Sequence, residues 1–156
     1  MSILNHDDSK AIDIATLGPI GKLPIAPGTW GSLAAVIIWW LILSRLKPFW
    51  YWTILLITAV IGIWSAGRAE EELGEDAGEI VIDEVLGQWI TLAACPRNIC
   101  SVVLAFIIFR ILDIWKPFPI RKSQDLHGGT GVVIDDALAG AYGIILMWIF
   151  RWMLCD

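Results

Sequence analysis

Five apolar runs, at residues 33–43, 50–66, 85–95, 99–109 and 137–155, alternate with polar stretches along the chain. A helix needs ~20 apolar residues to cross the ~30 Å of hydrocarbon in a bilayer. Only 50–66 and 137–155 approach that length. The first run reaches it by borrowing 30–32 before it and 44–46 after it. The third and fourth runs are eleven residues each, separated by Pro96-Arg97-Asn98. As a helix, each would be about 16 Å long, half a bilayer. Apolar residues make up 57 % of the 156, ten of them tryptophan. Soluble domains average ~45–50 % on a count that also includes glycine. The bilayer is therefore the expected solvent, and the expected fold is all-α. It is a polytopic membrane helical bundle with short or re-entrant helices and polar loops at the cytoplasmic face.

The length suits one domain over residues 1–156. Eleven Lys and Arg against sixteen Asp and Glu argue against a nucleic-acid partner, which requires a basic face. Asp7, Asp8 and Asp13 near the start, with no basic residues leading into an apolar run, do not read as a secretory signal. Cys95, Cys100 and Cys155 are odd in number, fit no zinc spacing and read as packing residues.

Two topologies follow from the short runs. If 85–109 crosses once, Asp83 and Asp113 end on opposite sides of the membrane. If the chain turns back at Pro96-Arg97-Asn98, the two carboxylates share a side. The return also groups Arg110, Lys116, Arg121 and Lys122 with Arg68, as cytoplasmic positive charge requires, although Arg45 and Lys47 oppose it. The expected arrangement has the N-terminus inside and both the 44–50 loop and the C-terminus outside. Trp50, Trp52, Trp64, Trp148 and Trp152 lie near run ends, where amphipathic rings settle at the lipid boundary. Trp39 and Trp40 fall mid-run and read as packing residues. Six carboxylates between Glu70 and Glu79 read as a solvated helix or loop.

Four polar stretches carry the chemistry. The first, residues 18–32, is rich in Pro and Gly and runs into an apolar helix that Thr29 or Ser32 would cap. Free N–H groups at such a helix start favour an anion, and Lys22 adds charge. The second holds Asp83 and Glu84 directly before an apolar run, a costly position beside a bilayer and so a functional hypothesis. The third places Arg110, Asp113 and Lys116 three residues apart, along one helix face, with Pro117 ending the helix. An acid between two bases suits a phosphate beside a metal, and equally a surface salt-bridge ladder. The fourth is His127-Gly128-Gly129-Thr130-Gly131, followed by Asp135 and Asp136 at the opening of the last run. Its glycines let backbone approach a ligand closely. Adjacent Asp side chains diverge on a helix, so one of the pair is enough for the site. His127 ranks below the acids. Ala137, Gly140, Ala141 and Gly143 suit packing against another helix. Carboxylates beside basic groups, with neither thiolate nor paired-His spacing, point to Mg²⁺ rather than zinc.

In order, these stretches resemble the phosphatidylglycerophosphatase A family. The resemblance rests on residues 27–32, on Asp83-Glu84 with Gly87 and Trp89, on 109–120, and on 127–131 with Asp135-Asp136 and Ala139-Gly140. It spans about residues 18–145. It implies an essentially all-helical, Mg²⁺-dependent lipid phosphatase of the bacterial inner membrane, multi-pass, with its active site facing the cytoplasm. The implied reaction takes phosphatidylglycerophosphate, a phospholipid substrate in the bilayer, to phosphatidylglycerol and phosphate. Asp83, Glu84, Asp113 and Asp136 are the expected catalytic residues, and with Asp135 they are the expected metal ligands. Lys22, Thr29, Arg110 and Lys116 are the expected substrate-binding residues. Attack by a metal-oriented water and direct attack by a carboxylate both remain open. The alternative function is a membrane carrier or cation-binding protein using the same carboxylates, and a further one is a soluble-like helical interaction protein. Ion flux in proteoliposomes without phosphate release marks the first, and solubility without detergent marks the second.

Overall fold

The computed structural model describes residues 6–154, apart from 76 and 125. Every regular element among the described residues is helical. Helix α1 is His6–Ala15, α2 is Pro27–Leu41 with a 3₁₀ turn Leu43–Arg45 after it, and α3 is Pro48–Leu73. Helices α4 Ile82–Leu92 and α5 Ile99–Trp115 follow, then the short α6 Ile120–Ser123 and the long α7 Gly129–Leu154. Three segments are long and apolar enough to cross a membrane: Pro27–Arg45, Pro48–Leu73 and Gly129–Arg151. The chain is a helical membrane protein.

The helices outrun the apolar runs because hydrogen bonding along a helix does not stop at the hydrocarbon edge. Helix α3 continues through Glu70, Glu71 and Glu72, and α7 begins two turns before Asp135 and Asp136 rather than at them. Helix α5 extends through Arg110 and Asp113 to Trp115. Lys116 then takes a left-handed conformation (φ 46°) ahead of Pro117. The start of α2 departs from expectation. Its N-cap is Ala26, left-handed at φ 49°, with Pro27 as the first helical residue. Neither Thr29 nor Ser32 caps it, because each lies inside the helix. The Ser32 hydroxyl donates instead to Gly28 O at 2.9 Å.

Helix α4 is the axis of the bundle. Eight of its eleven residues are buried, and it packs against α2, α3, α5 and α7. Turn 93–98 reverses the chain, and the Asn98 side chain caps α5 by accepting from Ser101 N at 2.8 Å. At this end Arg97 donates to Trp40 O and lies over the Trp40 ring. At the other end Arg110 of α5 comes within 3.9 Å of Glu84 in the first turn of α4. The chain therefore returns, and Asp83 and Asp113 share one end of the bundle.

Apolar surface on the outside and glycine on the inside hold this arrangement together. Ile37, Leu56, Val60, Ile107, Ile145 and Trp148 are exposed, as lipid-facing side chains should be. Lipid tails are as apolar as these side chains, so helix association rests on close packing and interhelical hydrogen bonds. Gly87 of α4 lies against Asp136 O and Phe109, and Gly140 of α7 lies against Gly87 O. The Trp89 indole donates to Ala35 O at 2.9 Å, and the Tyr51 hydroxyl donates to Trp89 O at 2.5 Å. Gly143 packs on Thr91 as the small-residue pattern suggested, while Ala141 faces outward. Trp39 is buried and Trp50, Trp52, Trp64 and Trp148 are exposed, as expected. Cys95 is half-buried, whereas Cys100 is exposed and does not pack. Cys155, Asp76 and the side chain of Trp152 lie outside the described residues.

Two outcomes test this architecture. In a cysteine-free background, Glu79→Cys and Lys122→Cys should react with an impermeant maleimide from one side of the membrane and Lys47→Cys from the other. Opposite sidedness for Glu79→Cys and Lys122→Cys would refute the return. A Cβ on Gly87 would stand 2.5 Å from both Asp136 O and Phe109 Cε2. Gly87→Ala should therefore lower the melting temperature in detergent, at a cost of about 1–3 kcal/mol.

Candidate metal centre

Five carboxylates gather where α4 and α7 meet the end of α5. Asp83, Asp113, Asp135 and Asp136 are 9, 8, 2 and 2 % exposed, which leaves water almost no part in their solvation. Each is delivered by a different local feature. Asp83 and Glu84 occupy the first turn of α4, where the helix dipole favours acids. Asp113 sits one turn after Arg110 on α5. Asp135 and Asp136 are adjacent on α7 and diverge.

Two of the five have close cationic partners, and Arg110 Nη1 also lies 3.9 Å from Glu84 Oε1. Arg110 Nη1 lies 2.5 Å from Asp113 Oδ2, and Lys116 Nζ lies 2.6 Å from Asp135 Oδ2. Asp135 also accepts from Asp136 N–H at 2.9 Å. The other three converge. Asp83, Glu84 and Asp136 each offer an oxygen, and these atoms lie within 4.8 Å of one another. Asp83 Oδ1, Glu84 Oε2 and Asp136 Oδ2 are buried without a hydrogen-bond partner. Buried acceptors left unmade are costly, and a divalent cation could satisfy this group. The residues fit a hard divalent cation, because all the donors are oxygen and their charge exceeds that of the neighbouring bases.

The electrostatics agree. Burial first, then the adjacent Glu84 charge, push the Asp83 carboxyl well above the usual range. Burial likewise pushes Glu84 up to about 7, with its contacts to Asp83 and Arg110 pulling the other way. Lys116 is raised although burial works against its charge, because Asp135, Asp136 and Asp113 surround it.

The sequence-derived candidates separate into two groups here. Asp83, Glu84 and Asp136 come together as a group that could hold a cation, and Arg110, Asp113, Lys116 and Asp135 lie around them as two ion pairs. Thr29 is half-buried beside Gly28, and Gly28 faces the Glu84 carboxylate so closely that a Cβ would overlap it. The helix start expected to bind an anion thus meets the chain's own Glu84. Lys22 lies apart, paired with Asp13 at 3.8 Å on the exposed surface. Two of the three glycines after His127 serve packing, while Gly128 (φ 66°) has open space around it and lines the cavity beside His127. Gly129 lies against Ile63 and Gly67 of α3, and Gly131 against Leu126 O. His127 is exposed and lines a 470 Å³ cavity with Glu71, Glu75 and Gln124, beyond the ion-pair ring. Sequence reasoning missed Ser32 as a partner of Arg110, whose Nη1 donates to its hydroxyl at 3.3 Å. It also missed Gln88, fully buried one turn after Glu84. An amide at that spacing inside an otherwise apolar stretch was the available signal.

Fold and site together define a class: a helical membrane protein with a buried acidic centre, able to hold a divalent cation, at one end of its bundle. The chain belongs to the phosphatidylglycerophosphatase A family, whose model matches residues 14–151. With the family comes the reaction class, hydrolysis of a phosphate monoester. Phosphatidylglycerophosphatase A of Escherichia coli is 43 % identical over 139 residues, covering 86 % of this chain and 80 % of the relative. Phosphatidylglycerophosphatase A of Haemophilus influenzae is 40 % identical over 160 residues, covering 99 % and 94 %. A Bacteroides thetaiotaomicron protein with a provisional phosphatidylinositol-3-phosphatase name is 44 % identical over 142 residues, covering 86 % and 89 %. No solved structure matches the chain.

Like charges held in a dry site set a sign for stability. A carboxyl whose folded pKa is raised binds its proton more tightly folded than unfolded, so stability falls as pH rises towards the folded value. In EDTA the melting temperature should therefore fall between about pH 4.5 and about 7, the window of Glu84. Mg²⁺ should restore it at high pH. Asp136→Asn should melt higher than wild type in EDTA at pH 8 and lose most of the Mg²⁺ gain. An unchanged melting temperature in both comparisons would remove the repulsion from the account.

Proposed function

We propose that the protein is a Mg²⁺-dependent lipid phosphatase that hydrolyses phosphatidylglycerophosphate to phosphatidylglycerol and phosphate. The observation that carries this reading is the convergence of three carboxylates, each with one buried oxygen lacking a hydrogen-bond partner, beside Arg110 at the polar end of lipid-facing helices. The names of the Escherichia coli and Haemophilus influenzae relatives support the substrate. An all-oxygen set of this size suits Mg²⁺, which demands compact geometry and retains some of its own waters. Bound there, the ion would neutralise phosphate charge and make a coordinated water a better nucleophile.

The chain's own residues have separable roles. Asp83, Glu84 and Asp136 hold the cation. Asp113 and Asp135, expected from sequence as further ligands, instead fix the two bases. Arg110 is aimed by Asp113 and Ser32, and its planar fork suits a phosphate oxygen and the charge that develops on it. Lys116, held by Asp135, adds a second positive charge at the rim. The Thr29 hydroxyl, in the first turn of α2, is a donor for the ester side of the phosphate. Keeping the acyl chains in lipid lets the reacting phosphate enter the polar end without burying the head group.

Seven of the eleven Lys and Arg lie towards the site end of the bundle: Lys10, Lys22, Arg68, Arg110, Lys116, Arg121 and Lys122. That bias supports a cytoplasmic site at a bacterial inner membrane. The acids lie near helix ends rather than along a path through the bundle, which favours a phosphatase over an ion carrier.

Phosphate release from purified protein with phosphatidylglycerophosphate should require Mg²⁺, stop in EDTA, and exceed release from phosphatidylinositol 3-phosphate. Asp83→Asn should lower kcat by about 100-fold or more, beyond the ~10–100-fold typical of outer partners of metal ligands. Asp113→Asn should lower it less and raise KM, through Arg110. Wild-type activity in both variants at limiting Mg²⁺ would dismiss the cluster as the active centre. Undiminished activity in EDTA would dismiss the cation.

A further inference from the structure

Gln88 is a polar side chain with no role in the interactions described so far. It is 0 % exposed, and neither its Nε2 nor its Oε1 has a hydrogen-bond partner. Burying an unpaired amide costs free energy that an apolar residue of the same shape would not. Buried polar groups are otherwise nearly always paired, so an orphan amide calls for a ligand.

Its position says which one. Four residues along a helix turn through about 400°, so Gln88 stands one turn deeper than Glu84 and on nearly the same face. On one side of it, Gly87 packs on Asp136 O and Phe109. On the other, Trp89 donates to Ala35 O of α2. Gln88 therefore points between them, towards the seam of α2 and α5. Ser32 lies at matching depth on α2, one turn beyond Gly28, as Gln88 lies one turn beyond Glu84. Arg110 reaches Ser32 across the same seam, and its Nε is also buried without a partner. Two orphan N–H donors, on Gln88 and Arg110, thus flank the acidic centre from below.

We propose that Gln88 is a substrate-binding residue whose Nε2 donates to a phosphoryl oxygen, of the lipid phosphomonoester before hydrolysis and of orthophosphate after it. Together with Arg110 it forms the floor of the site and sets how deep the phosphoryl group sits under the cation. The assignment rests on the phosphatase reading above. It adds a contact that neither the acids nor the lysine supplies, a neutral donor that brings no charge into competition with the metal.

The test uses full-length protein in detergent micelles, with Gln88→Leu and Gln88→Met as apolar replacements of similar size. Thermal unfolding in EDTA, the Mg²⁺-induced shift in melting temperature, kcat/KM for phosphatidylglycerophosphate and the inhibition constant of inorganic phosphate are measured for each. Both variants should melt at or above the wild-type temperature and keep the Mg²⁺ shift. Their kcat/KM should fall roughly 10- to 100-fold, as expected for one hydrogen bond to a charged group, and the phosphate inhibition constant should rise by a similar factor. Gln88→Asn, which keeps the amide on a shorter stem, should recover part of both losses. Wild-type kcat/KM and phosphate inhibition in either folded apolar variant would overturn the assignment. A loss confined to the lipid arm would also overturn it, by placing the amide on the head group. If wild type itself releases no phosphate from phosphatidylglycerophosphate, the phosphatase reading fails first. If the cation is required and the Gln88 variants are unaffected, this assignment alone fails.

Discussion

Carboxylates crowded together out of water repel one another, and each loses the hydration that would normally stabilise its charge, at several kcal/mol per ion. The bundle is organised around meeting that cost. Arg110 and Lys116 answer for Asp113 and Asp135, and both bases come from α5 and its cap, which exist at this end only because the chain reverses at 93–98. Asp83, Glu84 and Asp136 form the group that could take up an ion from outside, with Arg110 also 3.9 Å from Glu84. Helix α4 could not carry two of them into the centre if it faced lipid. It is enclosed by α2, α3, α5 and α7, and the long helices present the apolar skin instead. Function and stability pull in opposite directions here, as they commonly do where a strained site is maintained.

What holds the helices against this repulsion is contact distance rather than hydrophobicity. In lipid the outer residues gain little from meeting one another, so the tight glycine approaches between α4 and α7 and the indole and hydroxyl bonds between α2, α3 and α4 carry the association. The same contacts explain why small residues recur in α7 at the depth of Gly87 and Thr91. Near His127, Gly129 makes a similar close approach to α3.

Much of this was legible in the sequence. Apolar runs announced the helices, Pro96-Arg97-Asn98 announced the reversal, and the acids abutting apolar runs announced the site. Arg110 and Asp113 at a three-residue spacing gave one ion pair directly. Helix limits were less legible, because α3 and α7 run on through polar residues that a hydrophobicity pattern excludes. Helix α1 was not seen at all, since its buried Ala11 and Ala15 matter only once α3 is beside them. The pairing of two of the five acids with bases, apart from the three that converge, could not be read either. It depends on which carboxylate each base reaches in space, and Lys116 and Asp135 are nineteen residues apart. The pairing of Lys22 with Asp13 on the exposed surface is another contact that the sequence pattern did not show.

The contact of Gly87 with Asp136 has a consequence for how an ion would be held. Asp136 meets α4 twice, once through its carbonyl resting on a glycine and once through its carboxylate beside Asp83 and Glu84. No compressible side chain lies between the two backbones at that point. Helix separation therefore fixes how far apart the backbones that carry the three carboxylates stand, like the jaws of a calliper clamped at the hinge. Any adjustment of the three oxygens to an ion would then come from side-chain rotation within that rigid frame, and not from a change in helix spacing.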